Sequence, residues 1–103
     1  MSKSATIIDP IHPGEILAEE FLAPHGLSAT AFAKRLGVPA NRITRIIAGN
    51  SSVTADTALL LAAAFDMTAE FWLNLQTTYD LETARQNAEI MARAKTINVI
   101  AAE

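Results

Sequence analysis

Hydrophobic residues recur every three or four positions along most of the chain, the spacing of an α-helix that buries one face. Proline, glycine and small hydroxyl residues interrupt this pattern and mark where helices begin and end. We therefore predict an all-α fold. Its predicted helices cover residues 13–23, 29–36, 39–48, 55–65, 69–79 and 81–94, after an N-terminal arm of about ten residues.

Four side chains are expected to cap these helices, because their oxygens can accept hydrogen bonds from free backbone amides. They precede the second, fourth, fifth and sixth helices and are Ser28, Thr54, Thr68 and Asp80. The fourth helix is apolar nearly all round, so we expect it to be buried on most sides. Residues 96–100 alternate polar and β-branched types, which leaves a short strand and a continuing helix both open.

Residues 28–50 contain two short predicted helices joined at Gly37, a residue that adopts positive φ without strain. This layout is typical of a helix-turn-helix, whose second helix enters the major groove of DNA. In that helix the isoleucines at 43, 46 and 47 share one face. Asn41 and Arg45 point the opposite way, flanked by Arg42 and Thr44.

The charge distribution supports a surface for nucleic acid in spite of a net charge of −3. Residues 21–55 hold four basic residues and no acidic residue, whereas the remainder holds four basic and eleven acidic residues. One surface can therefore face a polyanion while the rest repels it. The acidic remainder would also suit a basic protein partner.

Side-chain chemistry singles out the residues that would contact DNA. Arg45 suits the paired acceptors of guanine and Asn41 suits the donor and acceptor of adenine. Hydroxyl and amide groups at helix N-termini and in loops suit phosphates, although Ser28 is equally well explained as an N-cap. A solvated polar face on a core helix is the alternative for Arg45 alone. The predicted DNA-binding residues are Ser28, Thr30, Ala40, Asn41, Arg42, Thr44, Arg45, Asn50 and Ser51.

Other functional classes find little support in the sequence. There is no cysteine, and His12 and His25 lack a spaced third ligand, so we expect no metal and no cofactor. No nucleophile motif or phosphate-binding glycine loop suggests an enzyme, and we predict no catalytic residue. No signal peptide or membrane span is apparent, which favours a cytoplasmic protein.

Several short motifs together resemble the HigA/VapI group of antitoxins within the λ-repressor-like (XRE) helix-turn-helix family. They span residues 11 to about 85 and are 11–17 (IHPGEIL), 37–43 (GVPANRI), 54–58 (TADTA) and 70–76 (EFWLNLQ). The resemblance implies a five-helix domain with an additional C-terminal helix. It also implies a homodimer that binds a partly palindromic DNA operator, represses its own operon and neutralises a HigB-type toxin that cleaves mRNA.

The sequence departs from this family at Ala29 and Ala40, where many λ-repressor-like proteins carry glutamine. Specificity must therefore depend on Asn41, Thr44 and Arg45 or on DNA shape. A plain regulator without a toxin, and an interaction module that has lost DNA binding, remain alternatives.

The predicted organisation is an arm at 1–10, a DNA-binding domain at 11–80 and a C-terminal segment at 81–103. We expect Trp72 in the core, and a dimer interface in the C-terminal third that involves Phe71, Leu75 and Tyr79, because one recognition helix contacts too few bases alone.

Overall fold

In a computed structural model, residues 9–101 are described and form a chain of helices without a strand in that range. The first helical region begins as α1, Pro13–Ile16, continues as a π-helical segment, Leu17–Leu22, and ends in a 3₁₀ turn, Ala23–His25. The remaining helices are α2 (Ala29–Leu36), α3 (Ala40–Ile47), α4 (Ala55–Phe65), α5 (Ala69–Arg85) and α6 (Ala88–Lys95).

Side-chain caps start most of these helices as their sequence predicts. Ser28 Oγ accepts the Ala31 N–H at 3.0 Å, and Thr54 and Thr68 cap α4 and α5 in the same way. At the start of α1, His12 Nδ1 accepts the N–H of Gly14 at 2.9 Å. The predictions for Ser28, Thr54 and Thr68 are confirmed, and the imidazole cap was not foreseen.

The predicted boundary between the fifth and sixth helices is wrong. Asp80 caps no helix, because α5 continues without interruption to Arg85 and the Asp80 carboxylate instead accepts the Gln76 side-chain amide at 2.9 Å. The cap of α6 is Asn87, whose Oδ1 accepts two backbone N–H groups. α5 runs through residues 80 and 81, where the sequence places the boundary between the DNA-binding domain and the C-terminal segment. That division of the chain stays a prediction. Residues 97–101 form neither a strand nor a helix, the two conformations that the sequence leaves open for residues 96–100.

The core lies between the first helical region and α2 to α5. Trp72 is fully buried, as expected, and its ring lies 5.0 Å from that of Phe21, while the Phe65 ring stacks on Phe32 at 5.3 Å. The expectation that α4 is buried on most sides is wrong, because Leu59 is 62% exposed and Ala63 and Ala64 are exposed as well. The buried core residues are Leu17, Leu22, Phe32, Ala33, Ile43, Ile46, Val53, Ala58, Leu61, Ala62 and Trp72.

Gly14 lies where α1 crosses the end of α3. A β-carbon at this position would overlap the backbone of Ile46, because the backbone of α1 lies so close to that of α3 that there is room only for the hydrogen atom of a glycine. The contact fixes how α3 lies against the core, and it gives a packing reason for a glycine in the first turn of a helix.

No helix in residues 9–101 is both long and apolar enough to cross a membrane. Within the same range, no group of three or more histidine, aspartate or glutamate side chains could hold a metal ion.

Candidate nucleic-acid interface

The turn between α2 and α3 is built by three consecutive residues. Gly37 has φ of 76°, the left-handed conformation that ends α2. Val38 follows, half-buried, and its N–H bonds to the Ala33 carbonyl at 3.1 Å. Pro39 then precedes α3 in an extended conformation. The predicted helix-turn-helix is therefore present at the predicted residues.

The two faces of α3 differ sharply in exposure. Ile43 and Ile46 are 0% and 1% exposed and hold the helix on the core, and Ile47 is half-buried beside them. The opposite face is open, and its exposed residues are Ala40, Asn41, Arg42, Thr44 and Arg45. An eight-residue helix with one buried and one polar face can present its side chains to a groove without losing its own support.

A recess beside α3, which we call the α3 recess, combines this helix with the loop that follows it and with the start of α4. Its polar lining consists of Asn41, Arg42, Arg45, Ser51, Ser52, Thr54, Asp56 and Thr57. Four predicted site residues thus meet on one surface. Ser28 and Thr30 lie at the exposed start of α2 and Asn50 is exposed after α3, all outside this lining.

Two features of the α3 recess escaped the sequence analysis. Arg45 Nε donates a hydrogen bond to Ser51 Oγ at 3.0 Å, so these two predicted residues contact each other. Asp56 brings a carboxylate to the same recess, although residues 21–55 lack acidic residues. The stretch without acidic residues therefore ends at residue 55, whereas the lining of the α3 recess continues through Asp56 to Thr57. Only the position of Asp56 in the first turn of α4 hinted at this, because α4 starts next to the loop.

The loop after α3 is fastened to the body of the protein. The buried N–H of Val53 donates to Gln76 Oε1 at 2.7 Å, and Gln76 Nε2 donates in turn to Asp80. At the loop's beginning, the Asn50 N–H bonds to the Arg45 carbonyl at 2.8 Å. This anchoring limits the positions that the Ser51 hydroxyl can take.

His12, which precedes α1, also lies near the loop after α3 and near α5. Its ring packs edge-on against Tyr79 with centroids 4.8 Å apart, and its Nδ1 accepts the Gly14 N–H. Burial lowers the pKa of His12 below the ordinary value, opposed by a backbone hydrogen bond at Ser51 and by the charge of Asp80. His12 is thus a structural cap that favours the neutral imidazole.

The three residues predicted for a dimer interface lie along α5 in different surroundings. Phe71 is 38% exposed and its ring contacts Trp72 edge-on at 5.1 Å. Leu75 and Tyr79 are half-buried, and Tyr79 is partly covered by His12. Their part in an interface stays a prediction.

Two packed helices joined by a left-handed glycine, the second with an exposed polar face, define a protein of the helix-turn-helix class. A family model described as "Helix-turn-helix" matches residues 19–72. Virulence-associated protein I of Dichelobacter nodosus is 53% identical over 79 residues, which cover 77% of this chain and 73% of that protein.

Solved structures agree with this assignment. An addiction module antidote protein of the HigA family from Coxiella burnetii matches with a TM-score of 0.81 and 47% identity, covering 90% of this chain and all of that one. The antitoxin HigA of Pseudomonas aeruginosa, solved with the higBA promoter, matches with a TM-score of 0.82 and 39% identity over 89% and 99% of the two chains. The chain therefore belongs to the XRE-type helix-turn-helix family, in its group of HigA/VapI-type antitoxins. That group consists of DNA-binding antitoxins and regulators, which is not an enzyme class.

Proposed function

We propose that this chain binds a partly palindromic operator as a homodimer, represses its own operon and neutralises a HigB-type toxin that cleaves mRNA. The observation that carries the DNA part is the exposed polar face of α3, opposite a face on which Ile43 and Ile46 are buried. The HigA structure from Pseudomonas aeruginosa contains a promoter, and the same mode of action is proposed here. A regulator of this kind works where the DNA is, in the cytoplasm.

The proposed base contacts come from α3. Asn41 and Arg45 are one turn apart on its exposed side and are assigned to adenine and guanine edges. Thr44 and Ala40 offer methyl groups that suit thymine, and Arg42 is assigned to a phosphate or a flanking base. Ser28, Thr30 and Asn50 are assigned to phosphates, which fix orientation rather than sequence.

A homodimer is proposed because a single eight-residue recognition helix spans only a few base pairs. The C-terminal third offers apolar side chains for the contact. Leu81 and Ile90 are each 47% exposed, Met91 is 38% exposed, and α6 buries none of its residues. A two-fold interface through this region would match a palindromic operator.

Binding to the DNA upstream of the chain's own gene tests the proposal. We expect Arg45→Ala to weaken specific binding by about 1–3 kcal/mol, roughly fivefold to 150-fold, if Arg45 reads a guanine. Arg35→Ala is the matched control, since it removes the same charge at the far end of α2, where Arg35 lines a separate groove with Leu36 and Leu60.

The control variant Arg35→Ala should keep the preference of the wild type for operator over random DNA. Wild-type binding must weaken as salt increases, because cations that neutralise phosphates release counterions. Equal affinity of wild type and Arg45→Ala for both DNAs would remove Arg45 from base recognition, and binding without any salt dependence would contradict the DNA-binding proposal as a whole.

The toxin part has its own test, which also separates the antitoxin from a plain regulator. We expect a small basic reading frame of an mRNA-cleaving enzyme next to this gene, and we expect its product to copurify with this chain and to lose activity when bound. Failure of the two products to associate would contradict neutralisation and leave a regulator without a toxin.

A further inference from the structure

We propose that Ser51 is a positioning residue that holds Arg45 ready to read a base, rather than a phosphate ligand. The inference deepens the function proposed above and rests on it. The observation behind it is the hydrogen bond that Arg45 Nε donates to Ser51 Oγ at 3.0 Å on the exposed side of the α3 recess.

The chemistry of arginine makes this contact productive. A guanidinium has five N–H donors in a planar fork, and Nε carries one of them. A bond at Nε leaves both terminal nitrogens free, and these are the atoms that bind guanine O6 and N7 side by side. Ser51 is uncharged, so it orients the Arg45 fork without neutralising the positive charge that attracts DNA. A carboxylate in the same place would orient the Arg45 side chain but would also neutralise its positive charge.

The other polar side chains of α3 lack such support. Within residues 9–101, Asn41, Arg42 and Thr44 form no side-chain hydrogen bond, although all three are exposed on the same helix. A long side chain on a surface otherwise samples many rotamers, and fixing it on binding costs entropy. Arg45 is therefore singled out by the structure as the arginine that is arranged before DNA arrives.

The loop that carries Ser51 is anchored on both sides of it. Asn50 N–H bonds back to the Arg45 carbonyl, and Val53 N–H bonds to the buried amide of Gln76. A hydroxyl on a loose loop would follow the arginine instead of directing it. Here the loop is tied to α3 at one end and to α5 at the other, so Ser51 Oγ is a fixed acceptor.

A phosphate role for Ser51 makes a different prediction. A phosphate contact strengthens binding to any DNA and leaves base preference alone, whereas a positioning contact acts only through the base that Arg45 reads. The two can be separated by measuring affinity for the operator and for operators substituted one base pair at a time. The base pair at which Arg45→Ala loses its preference identifies the site of reading.

The test uses the full chain, the Arg45→Ala variant introduced above and four further variants. Ser51→Ala removes the acceptor, Ser51→Thr keeps a hydroxyl, and Ser52→Ala is the matched control, an exposed serine in the same loop. We expect Ser51→Ala to lose about threefold to tenfold of the discrimination at the Arg45 base pair, the scale of one hydrogen bond. Ser51→Thr should restore it, and Ser52→Ala should not change it.

The fourth variant combines Ser51→Ala with Arg45→Ala. Because the hydroxyl acts through the arginine, the double variant should discriminate no worse than Arg45→Ala alone, so the two losses should not add. The thermal midpoint of each single variant should stay close to that of the wild type, since Arg45 is exposed and the half-buried Ser51 makes its side-chain hydrogen bond at the surface. This measurement separates a lost contact from a lost fold.

Two results would overturn the inference while leaving the proposed function intact. One is a uniform loss on operator and random DNA with a shallower salt dependence, which would assign Ser51 to a phosphate. The other is wild-type discrimination in folded Ser51→Ala. A wild-type chain that prefers no operator sequence at all would overturn the inference together with the proposed function.

Discussion

Two helices of equal length, α3 and α6, contrast in how they are supported. Each has eight residues, yet Ile43 in α3 is fully buried while Ile90 in α6 is 47% exposed. Helices this short are marginal in water without packing. The core thus determines the position of α3, whereas α6 depends on its own cap and on contact with α5. The monomer therefore needs α3 for its core, whereas the apolar side chains of α6 are available to a partner.

The largest expected effect comes from truncating the buried face of α3. Ile43→Ala should lower the free energy of unfolding by about 2–5 kcal/mol, because it removes buried methyl groups and leaves a cavity. Denaturant unfolding measures the loss. Ile90→Ala is the matched control and, at a protein concentration low enough to keep the chain monomeric, should change the free energy of unfolding by less than about 0.5 kcal/mol. Equal losses under that condition would mean that α6 is packed as firmly as α3.

A second prediction concerns the contact that positions α3. Gly14→Ala should lower the free energy of unfolding by about 1–3 kcal/mol or more, because the new methyl group overlaps the Ile46 backbone and no side-chain rotation relieves it. Circular dichroism during denaturation follows this change. A variant as stable as the wild type would show that α1 can move away from α3 at little cost.

The anchor of the loop after α3 gives a third prediction. Gln76→Leu should cost about 1–3 kcal/mol, because the buried N–H of Val53 loses its acceptor. Asp80→Asn is the control, since it keeps an oxygen for the Gln76 amide and should change stability by less than about 0.5 kcal/mol. If Gln76→Leu were as stable as the wild type, the loop would not need this anchor.

The smallest effect is a pH dependence at His12. Burial lowers its pKa in the folded state, so the unfolded chain takes up the proton first as pH falls. The stabilisation is complete above about pH 6.5, the ordinary value for histidine, and decreases as pH falls through the folded pKa. Melting midpoints between about pH 8 and pH 5 should show this loss. His12→Asn, which keeps a capping acceptor, should reduce it.

The elements that the sequence predicted well depend on local chemistry. Ser28, Thr54 and Thr68 each cap a helix that begins at the next residue, so sequence alone placed those boundaries. Asp80 has the same chemistry but lies inside a segment of good helix formers, and its carboxylate has a partner one turn earlier. A cap residue therefore predicts a helix start only where the preceding helix also has a reason to end.

The features that the sequence missed depend on distance along the chain. Val53 and Gln76 are 23 residues apart, and nothing in either local pattern indicates their hydrogen bond. Gly14 needs to be a glycine only because α3 lies beside it, and the sequence around Gly14 does not indicate that contact. Leu59 was misjudged because an apolar composition gives the helix no preferred face, so burial had to be decided by packing. The assignment of individual residues to DNA remains a prediction.

The two-faced construction of α3 has a consequence for how such regulators diverge. Every side chain assigned to a base projects from the exposed face, and every side chain that holds the helix projects from the other. Duplicated copies of the gene could therefore acquire new operators by exchanging surface residues alone, with the interior inherited unchanged. Substitutions on this exposed face alone would then be enough for two regulators in one genome to bind different operators.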